Sequence, residues 1–435
     1  MQTLALDVGS SSVKAVVLRD GNLQAPPVRA TYPTVHQGQR VEIDPAQVLN
    51  AMIRAVRDIG PAARSVEAIA LSVLSPAWVA MNARGEPLTN LITHQDRRSI
   101  DVAQELERRV GRQRHLQLAG NRPFPGGISS TTCAWFAQHQ PDVLKKADLV
   151  GHLNTLIHRQ LTGERVIDPS NASFSGLFST VDLAGWSDEL CAAAGVRTNQ
   201  LPRVVDGCDI AGRVTASAAD SWGLAEGTPV LAGLVDTSAA MLYAGPQPGR
   251  LMHMCGSTDV LGLASDHPVP HERLLTRALG VGRRWMSVST LAAGGVSLDW
   301  LHEQLFADLK HGEFHDAVSR AAQRPSPAVQ FDPYLAGERT SVAQRMAAFT
   351  HLTLATTRED LLGAVLHGLS QASVARLGIL RETGTEFLDE VVVSGGGSAL
   401  ADMMHRHWPS RLQFRGVDEA GLRGLGTIQI GAAVA

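Results

Sequence analysis

A chain of 435 residues with 44% hydrophobic content is too long for one compact core and apolar enough to build two, so two domains are expected. Its 39 basic and 42 acidic residues leave a formal charge of −3, which argues against a nucleic-acid binder or a protein held on an anionic membrane. Four scattered cysteines with no C-x-x-C pair, a start that meets Asp7 without a basic segment, and no apolar stretch near ~20 residues predict a reduced, cytoplasmic chain whose partner is a small molecule.

In chain order, Leu4, Leu6 and Val8 alternate, break at Gly9-Ser10-Ser11-Ser12 and resume from Val13 to Leu18, a meander of short strands. Apolar positions at Val48, Met52, Ile53 and Val56 predict a helix over Pro45 to Ile59, opened by Asp44-Pro45 as cap and first-turn residues. A strand fits Ala68 to Val73, and strand and helix alternate from there on, which is the α/β pattern. After the turn Gly227-Thr228-Pro229 an apolar run reaches Leu234 and stops at Val235-Asp236-Thr237-Ser238, a strand feeding a helix. The Pro/Gly joint Pro246-Gln247-Pro248-Gly249 places a domain boundary here, dividing the chain into 1–244 and 245–435. A second strand pair comes next, Arg250 to Met254 and Asp259 to Leu263 around Gly256-Ser257-Thr258. Near the end, Glu390 to Val393 runs into Ser394-Gly395-Gly396-Gly397-Ser398 and a helix expected from Ala399 to Trp408, which Pro409 stops.

A turn of glycine and hydroxyl residues between two strands presents N–H and O–H donors suited to phosphate oxygens. Alone, Gly9 to Ser12 reads first as a tight hairpin. Its recurrence at Gly256 to Thr258, opening the other half of the chain, favours a duplicated domain with both turns at one cleft. Asp7, directly before the first turn, is either a turn-initiating residue or a carboxylate that holds Mg²⁺ through water. Lys14 reaches a phosphate or lies on a solvated strand face. Asp236 reads as a helix N-cap, and also as a general base at the carboxyl end of a strand. Strand, glycine loop and helix around Gly395 to Gly397 suggest bare backbone under an adenosine, the alternative being a connecting loop; no Walker lysine and no dinucleotide spacing are present. His405 and His407, two apart on a helix, point to different faces and are not read as a metal pair.

Together these segments resemble the FGGY family of carbohydrate kinases, of the actin-like ATPase superfamily, along nearly the whole chain. Asp7-Val8-Gly9-Ser10-Ser11-Ser12-Val13-Lys14 is similar to the family's D-x-G-T-S-x-x-K loop, and Met254-Cys255-Gly256-Ser257-Thr258 to its second, G-T-S loop. Gly185-Trp186-Ser187 with Leu201-Pro202 resembles the linker before the catalytic strand, and Gly233-Leu234-Val235-Asp236 stands in place of G-G-x-D. Pro333 to Thr340 matches the P-Y-L-x-G-E-R-T of xylulokinase-like members. The resemblance implies two ribonuclease H-like domains with an interdomain catalytic cleft. It implies ATP held by Gly9, Ser10, Ser11, Ser12 and Lys14, by Gly256, Ser257 and Thr258, and by Gly395, Gly396, Gly397 and Ser398, with Mg²⁺ near Asp7. Asp236 would be the catalytic base, and Ser75, Trp78 and Asp96 would join it at the substrate.

The departures bear on the alcohol. Leu74-Ser75-Pro76-Ala77 replaces Q-M-H-G, Thr132 replaces a signature lysine while Trp135 keeps its tryptophan, and His94-Gln95-Asp96-Arg97-Arg98 resembles W-x-D-x-R with the tryptophan lost, a form also close to glycerol kinases. The region around Gly126-Gly127-Ile128 resembles sedoheptulokinases. The expected reaction is transfer of the γ-phosphate of ATP to a xylulose-, ribulose- or sedoheptulose-like ketose or polyol. Rivals on the same scaffold are a glycerol or other polyol kinase, a phosphatase and a nucleotide-switched binding protein, the Tyr334 to Thr340 segment arguing against the phosphatase. The sequence leaves the oligomeric state open, a homodimer being one possibility on general frequency alone.

Overall fold

The computed structural model describes residues 1–395 and 398–428. Eight strands form the first sheet. Strands β1 (Gln2–Val8) and β2 (Ser12–Arg19) make an antiparallel hairpin that sets Asp7 opposite Lys14. Helix α1 (Pro45–Ile59) keeps to the expected bounds: Asp44 accepts the Ala46 N–H at 2.8 Å, Pro45 occupies the first turn, and Gly60 ends the helix. Its Val48, Ala51, Met52 and Val56 are buried, and each of the larger side chains contributes about 1.5–3 kcal/mol by leaving water. Strand β3 (Ala68–Val73) then lies parallel to β1, with Asp7 beside Ser72. Helix α2 (Pro169–Ser175) precedes the short strand β4 (Leu234–Val235), which adds to the other side of β3 with Val235 beside Val73. Helix α3 (Asp236–Ala244) leaves directly from it.

The apolar run from Pro229 to Leu234 is not the single strand its composition suggests. It forms Pro229–Leu231 and then β4, separated at Ala232-Gly233. Gly233 takes φ 82°, and a side chain there would stand 2.6 Å from the Leu71 carbonyl oxygen. Glycine therefore bends the chain at this point, and β4 resumes in register beside the end of β3.

The second sheet has six strands, β5 (Leu251–Cys255), β6 (Asp259–Ser265), β7 (Leu275–Ala278), β8 (Trp285–Leu291), β9 (Glu390–Ser394) and β10 (Gln413–Val417). Their order is β7-β8-β6-β5-β9-β10. The β5–β6 hairpin repeats β1–β2, and β9 lies parallel to β5 as β3 lies parallel to β1. Helix α4 (Arg358–Arg381), which packs over this sheet, and α5 (Ala420–Leu425), which lies on α3, belong to a two-domain α/β fold. The helix after the glycine loop ends at His405, earlier than expected, and Trp408 turns back to donate its N–H to the His405 carbonyl. Cross-contacts join the halves: Asn121 exchanges two hydrogen bonds with the Thr276 backbone at 2.7 and 2.8 Å, and Ser173 accepts the Ala278 N–H. No described helix is long and apolar enough to cross a membrane.

Candidate active site

The register of β1, β3 and β4 carries Asp7, Ser72 and Asp236 to one end of the first sheet. Ser72 donates its hydroxyl to Asp7 Oδ1 at 2.6 Å. Burial pushes Asp7 up to about 6; Ser72 opposes the shift and the nearby Asp236 carboxylate adds to it. Burial also raises Asp236 above the ordinary 3.8, against the pull of Arg277. Asp236 is the first residue of α3 and not its cap, although its carboxylate does accept the Thr237 N–H.

Its position is set by residues that pattern reading missed. The Val235 N–H donates to Ser170 Oγ at 2.9 Å, and that hydroxyl in turn donates to Asp168. Asp168, completely buried, caps α2 and accepts from the Ser170 and Asn171 N–H groups and from the amides of Asn171 and Asn154. The Asp168-Pro169 pair is the one sequence signal, a cap before a first-turn proline. A carboxylate saturated by that many donors makes a rigid footing for the strand that ends just before Asp236.

A cavity of about 590 Å³ opens between the halves, lined by Asp7, Gly9, Asp236, Gly256, Thr258 and Gly395 among others. Both turns thus meet at one cleft. Ser10, Ser11 and Ser257 occupy the turn tips, and Ser12 begins β2. Lys14 reaches the cleft wall, but its ammonium sits 2.6 Å from Glu419, which Arg29 also contacts at 2.6 Å. That pairing ties the first hairpin to the start of α5, and Lys14 shares the single Glu419 carboxylate with Arg29. Gly396 and Gly397 lie outside the described residues, as does the side chain of Ser398.

A second, smaller chamber adjoins the first, sharing Asp236, Thr237 and Thr258 with it. Ser75, His94, Arg277 and Arg339 line its far side. Among the described residues neither ring nitrogen of His94 has a partner. Burial, with Arg339 and Arg97 nearby, holds this imidazole well below its usual 6.5 and so neutral, able to donate from one nitrogen and accept at the other. Arg339, from the segment matching the xylulokinase motif, donates to the Ser75 carbonyl at 2.8 Å and thereby spans the two halves.

Two expected substrate contacts lie elsewhere. Trp78 is buried in a separate cluster, stacked on Phe136 with ring centres 4.7 Å apart, and is not among the residues lining the chamber that Ser75 lines. Asp96 spends its carboxylate on the Val41 and Arg98 N–H groups and on the Arg98 guanidinium at 2.7–2.9 Å. It holds the loop, and the loop presents His94.

Two carboxylates flanked by two donor-rich turns, with a smaller chamber behind one of them, make the arrangement of a two-domain phosphotransferase acting on an alcohol. The chain belongs to the FGGY family of carbohydrate kinases, whose N-terminal domain matches residues 2–243 and whose C-terminal domain matches residues 251–406. It is 25% identical to the xylulose kinase of Escherichia coli K12 over 401 residues, 90% of this chain and 81% of that protein. It is 24% identical to the gluconokinase of Bacillus subtilis 168, over 84% of this chain and 74% of that one. The crystal structure of xylulose kinase from Rhodospirillum rubrum superposes with a TM-score of 0.82 at 26% identity, covering 98% of this chain and 88% of the other. The protein is accordingly an ATP-dependent sugar kinase.

Proposed function

We propose that Asp236 takes the proton of a ketose or polyol hydroxyl held in the smaller chamber while the triphosphate of ATP lies across the two turns. The observation that carries this reading is that Asp236 lines both cavities at their junction. The alcohol oxygen attacks the γ-phosphorus, the bond from that phosphorus to the β–γ bridging oxygen breaks, ADP departs with the electron pair, and the proton passes to the Asp236 carboxylate. Burial, which raises its proton affinity, suits it to that task. The turn donors stay fixed through the step, so stabilising the moving charge requires little reorganisation.

Asp7 fits a water-bridged Mg²⁺: it offers a hard oxygen ligand, and the neighbouring Asp236 charge that raises its pKa would be relieved by a cation. Bound there, the ion would offset the triphosphate charge. Ser75 and His94 supply polar contacts to the sugar, and Thr237 Oγ1 is engaged by Arg277. Similarity to xylulose kinases favours a ketose over a glycerol-type polyol, and a reaction that consumes ATP fits the cytoplasm.

Replacing Asp236 with Asn is expected to lower kcat by about 10²–10⁴-fold with nucleotide binding retained. In the native enzyme kcat/KM falls on the acid side, with a midpoint above the ordinary 3.8, because a protonated Asp236 cannot accept the hydroxyl proton. Steady-state kinetics across pH check both points, and turnover unaffected by the substitution would remove Asp236 from the role.

A further inference from the structure

In the C-terminal half another cavity, of about 340 Å³, opens between α4 and the far ends of two other helices, His311–Ala321 and Ser398–His405. It shares no lining residue with the cleft or with the smaller chamber. Arg324, Arg406, His367 and His407 line it, and no carboxylate does. Other arginines of this half are paired: Arg358 sits on Asp308, Arg411 on Asp389 and Arg415 on Glu390. Among the described residues no carboxylate lies within 4 Å of Arg324 or Arg406. Asp360 is near enough to feel the charge of Arg324, but its Oδ2 is occupied by the Thr357 N–H and hydroxyl, both at 2.9 Å, and it stands outside the cavity lining. Arg406 is fixed by one hydrogen bond, from Nη1 to the Ala322 carbonyl at 2.7 Å, which leaves its remaining N–H groups open.

A second observation lies at the bottom of the same cavity. Ser370 of α4 lines it and is 2% exposed, and among the described residues its hydroxyl has no hydrogen-bond partner. A buried hydroxyl left unpaired is unfavourable, and a ligand oxygen seated in the cavity completes it. Pro327, Leu366 and Met403 add an apolar wall, so there is a place for carbon as well as for charge. Charge decides the class. Two guanidinium groups match a phosphate monoester, at about −1.5 to −2, whose oxygens suit forked donors. A single carboxylate would leave one arginine unanswered. The volume is that of a small molecule.

We propose that this cavity binds a small phosphate monoester, its phosphoryl oxygens facing Arg324, Arg406 and the Ser370 hydroxyl and its carbon chain against the apolar wall, and that its occupancy is felt at the nucleotide. The route is short. The helix Ser398–His405 gives Met403 to the cavity and begins just past Gly395, which lines the cleft. Only this coupling rests on the cleft being the ATP site.

The test uses the full chain with its cleft saturated by Mg²⁺ and a non-hydrolysable ATP analogue. Glycerol 3-phosphate, ribose 5-phosphate, inorganic phosphate and glycerol are titrated by calorimetry. The better ester is expected to bind saturably and at least about tenfold tighter than glycerol. Arg324→Gln and Arg406→Gln, both at exposed positions, are each expected to weaken it about tenfold and to leave turnover without the ester unchanged. Ser370→Ala is expected to weaken it about threefold. No saturable binding of either ester overturns the site, and so does binding that neither arginine variant weakens. Inorganic phosphate binding as tightly as both esters overturns the monoester and leaves the free ion as the ligand. In steady-state kinetics at saturating sugar, the better ester is expected to shift KM for ATP at least about fivefold in the native chain and not in Arg406→Gln. An unmoved KM overturns the coupling, and calorimetry still judges the site. If no alcohol is phosphorylated at all, the kinase reading fails by itself, because the binding measurements do not depend on turnover.

Discussion

The two hydroxyl turns occupy equivalent places in their sheets and face one cleft, yet they are held from behind by different means. In the first, the Gly9 carbonyl is bound by the Tyr32 hydroxyl, the Ser10 carbonyl by Thr34 Oγ1 at 2.6 Å, and the Ser11 carbonyl by the Tyr32 N–H at 3.0 Å. In the second, among the described residues, backbone does this: Gly294 and Val296 donate to the Ser257 carbonyl at 2.9 and 3.3 Å, and Gly295 donates to the Gly256 carbonyl at 2.9 Å. Gly9 and Gly256 spend their own N–H groups closing the turns onto the Ser12 and Thr258 carbonyls at 2.9 and 3.0 Å, and with the other carbonyl oxygens drawn backward the N–H groups at the turn tips are left for a ligand. A turn braced by side chains can lose one brace and keep its shape. A turn braced by an apposed backbone requires residues small enough for the two chains to approach.

The largest expected effect comes from the residue at the far end of each turn. Where the first has Ser12, the second has Asp259, completely buried and paired with Arg376 and with His253 Nε2 at 2.6 Å. Burial alone would raise this carboxyl, but Arg376 and His253 outweigh it and hold it below the ordinary 3.8. The folded value being the lower one, the pairing stabilises the protein above pH 3.8, and that contribution is lost as pH falls through the folded value. Arg376→Met leaves the buried carboxylate with His253 as its remaining partner and is expected to lower stability by about 3–5 kcal/mol in chemical denaturation at neutral pH. A loss below about 1 kcal/mol would mean the second turn does not depend on this pair.

Next in size is Gly295→Ala. The added carbon would stand 2.8 Å from the Gly256 carbonyl oxygen, a backbone atom that cannot swing aside. Overpacking of this kind costs about 1–3 kcal/mol, and here the strain falls on the turn itself. KM for ATP should rise well beyond any change in KM for the sugar. Equal changes in both would detach the second turn from the nucleotide.

How much of this could be read from sequence depends on how far apart the partners lie. Asp236, Gly9 and Gly256 are legible because each ends an apolar run, where strand period and turn chemistry agree within a few residues. Lys14 is not, since its partner Glu419 is 405 residues away. Arg277 stands in Leu275-Thr276-Arg277-Ala278, an alternation that reads as an arginine on a strand's wet face; only the packing of α2 against β7 shows that this face is buried. Asp96 misleads for the opposite reason. Its motif keeps the aspartate and the arginine, but Arg98, two residues on, takes the carboxylate, and the chamber contact passes to His94. Gly294-Gly295 gives no periodic signal, because its role is the closeness of a distant turn.

The smallest effect sharpens the comparison most. Tyr32→Phe deletes only the hydroxyl that holds the Gly9 carbonyl, while the Tyr32 N–H still binds the Ser11 carbonyl and Thr34 still binds that of Ser10. One hydrogen bond of this kind is worth about 0.5–1.5 kcal/mol, and the freed carbonyl, beside a partly exposed turn, regains some of that from water. KM for ATP should therefore rise no more than about tenfold, and less than in Gly295→Ala under the same assay. A larger effect from Tyr32→Phe would show that the three braces act as one cooperative unit, and that side-chain bracing is as unforgiving as the backbone kind.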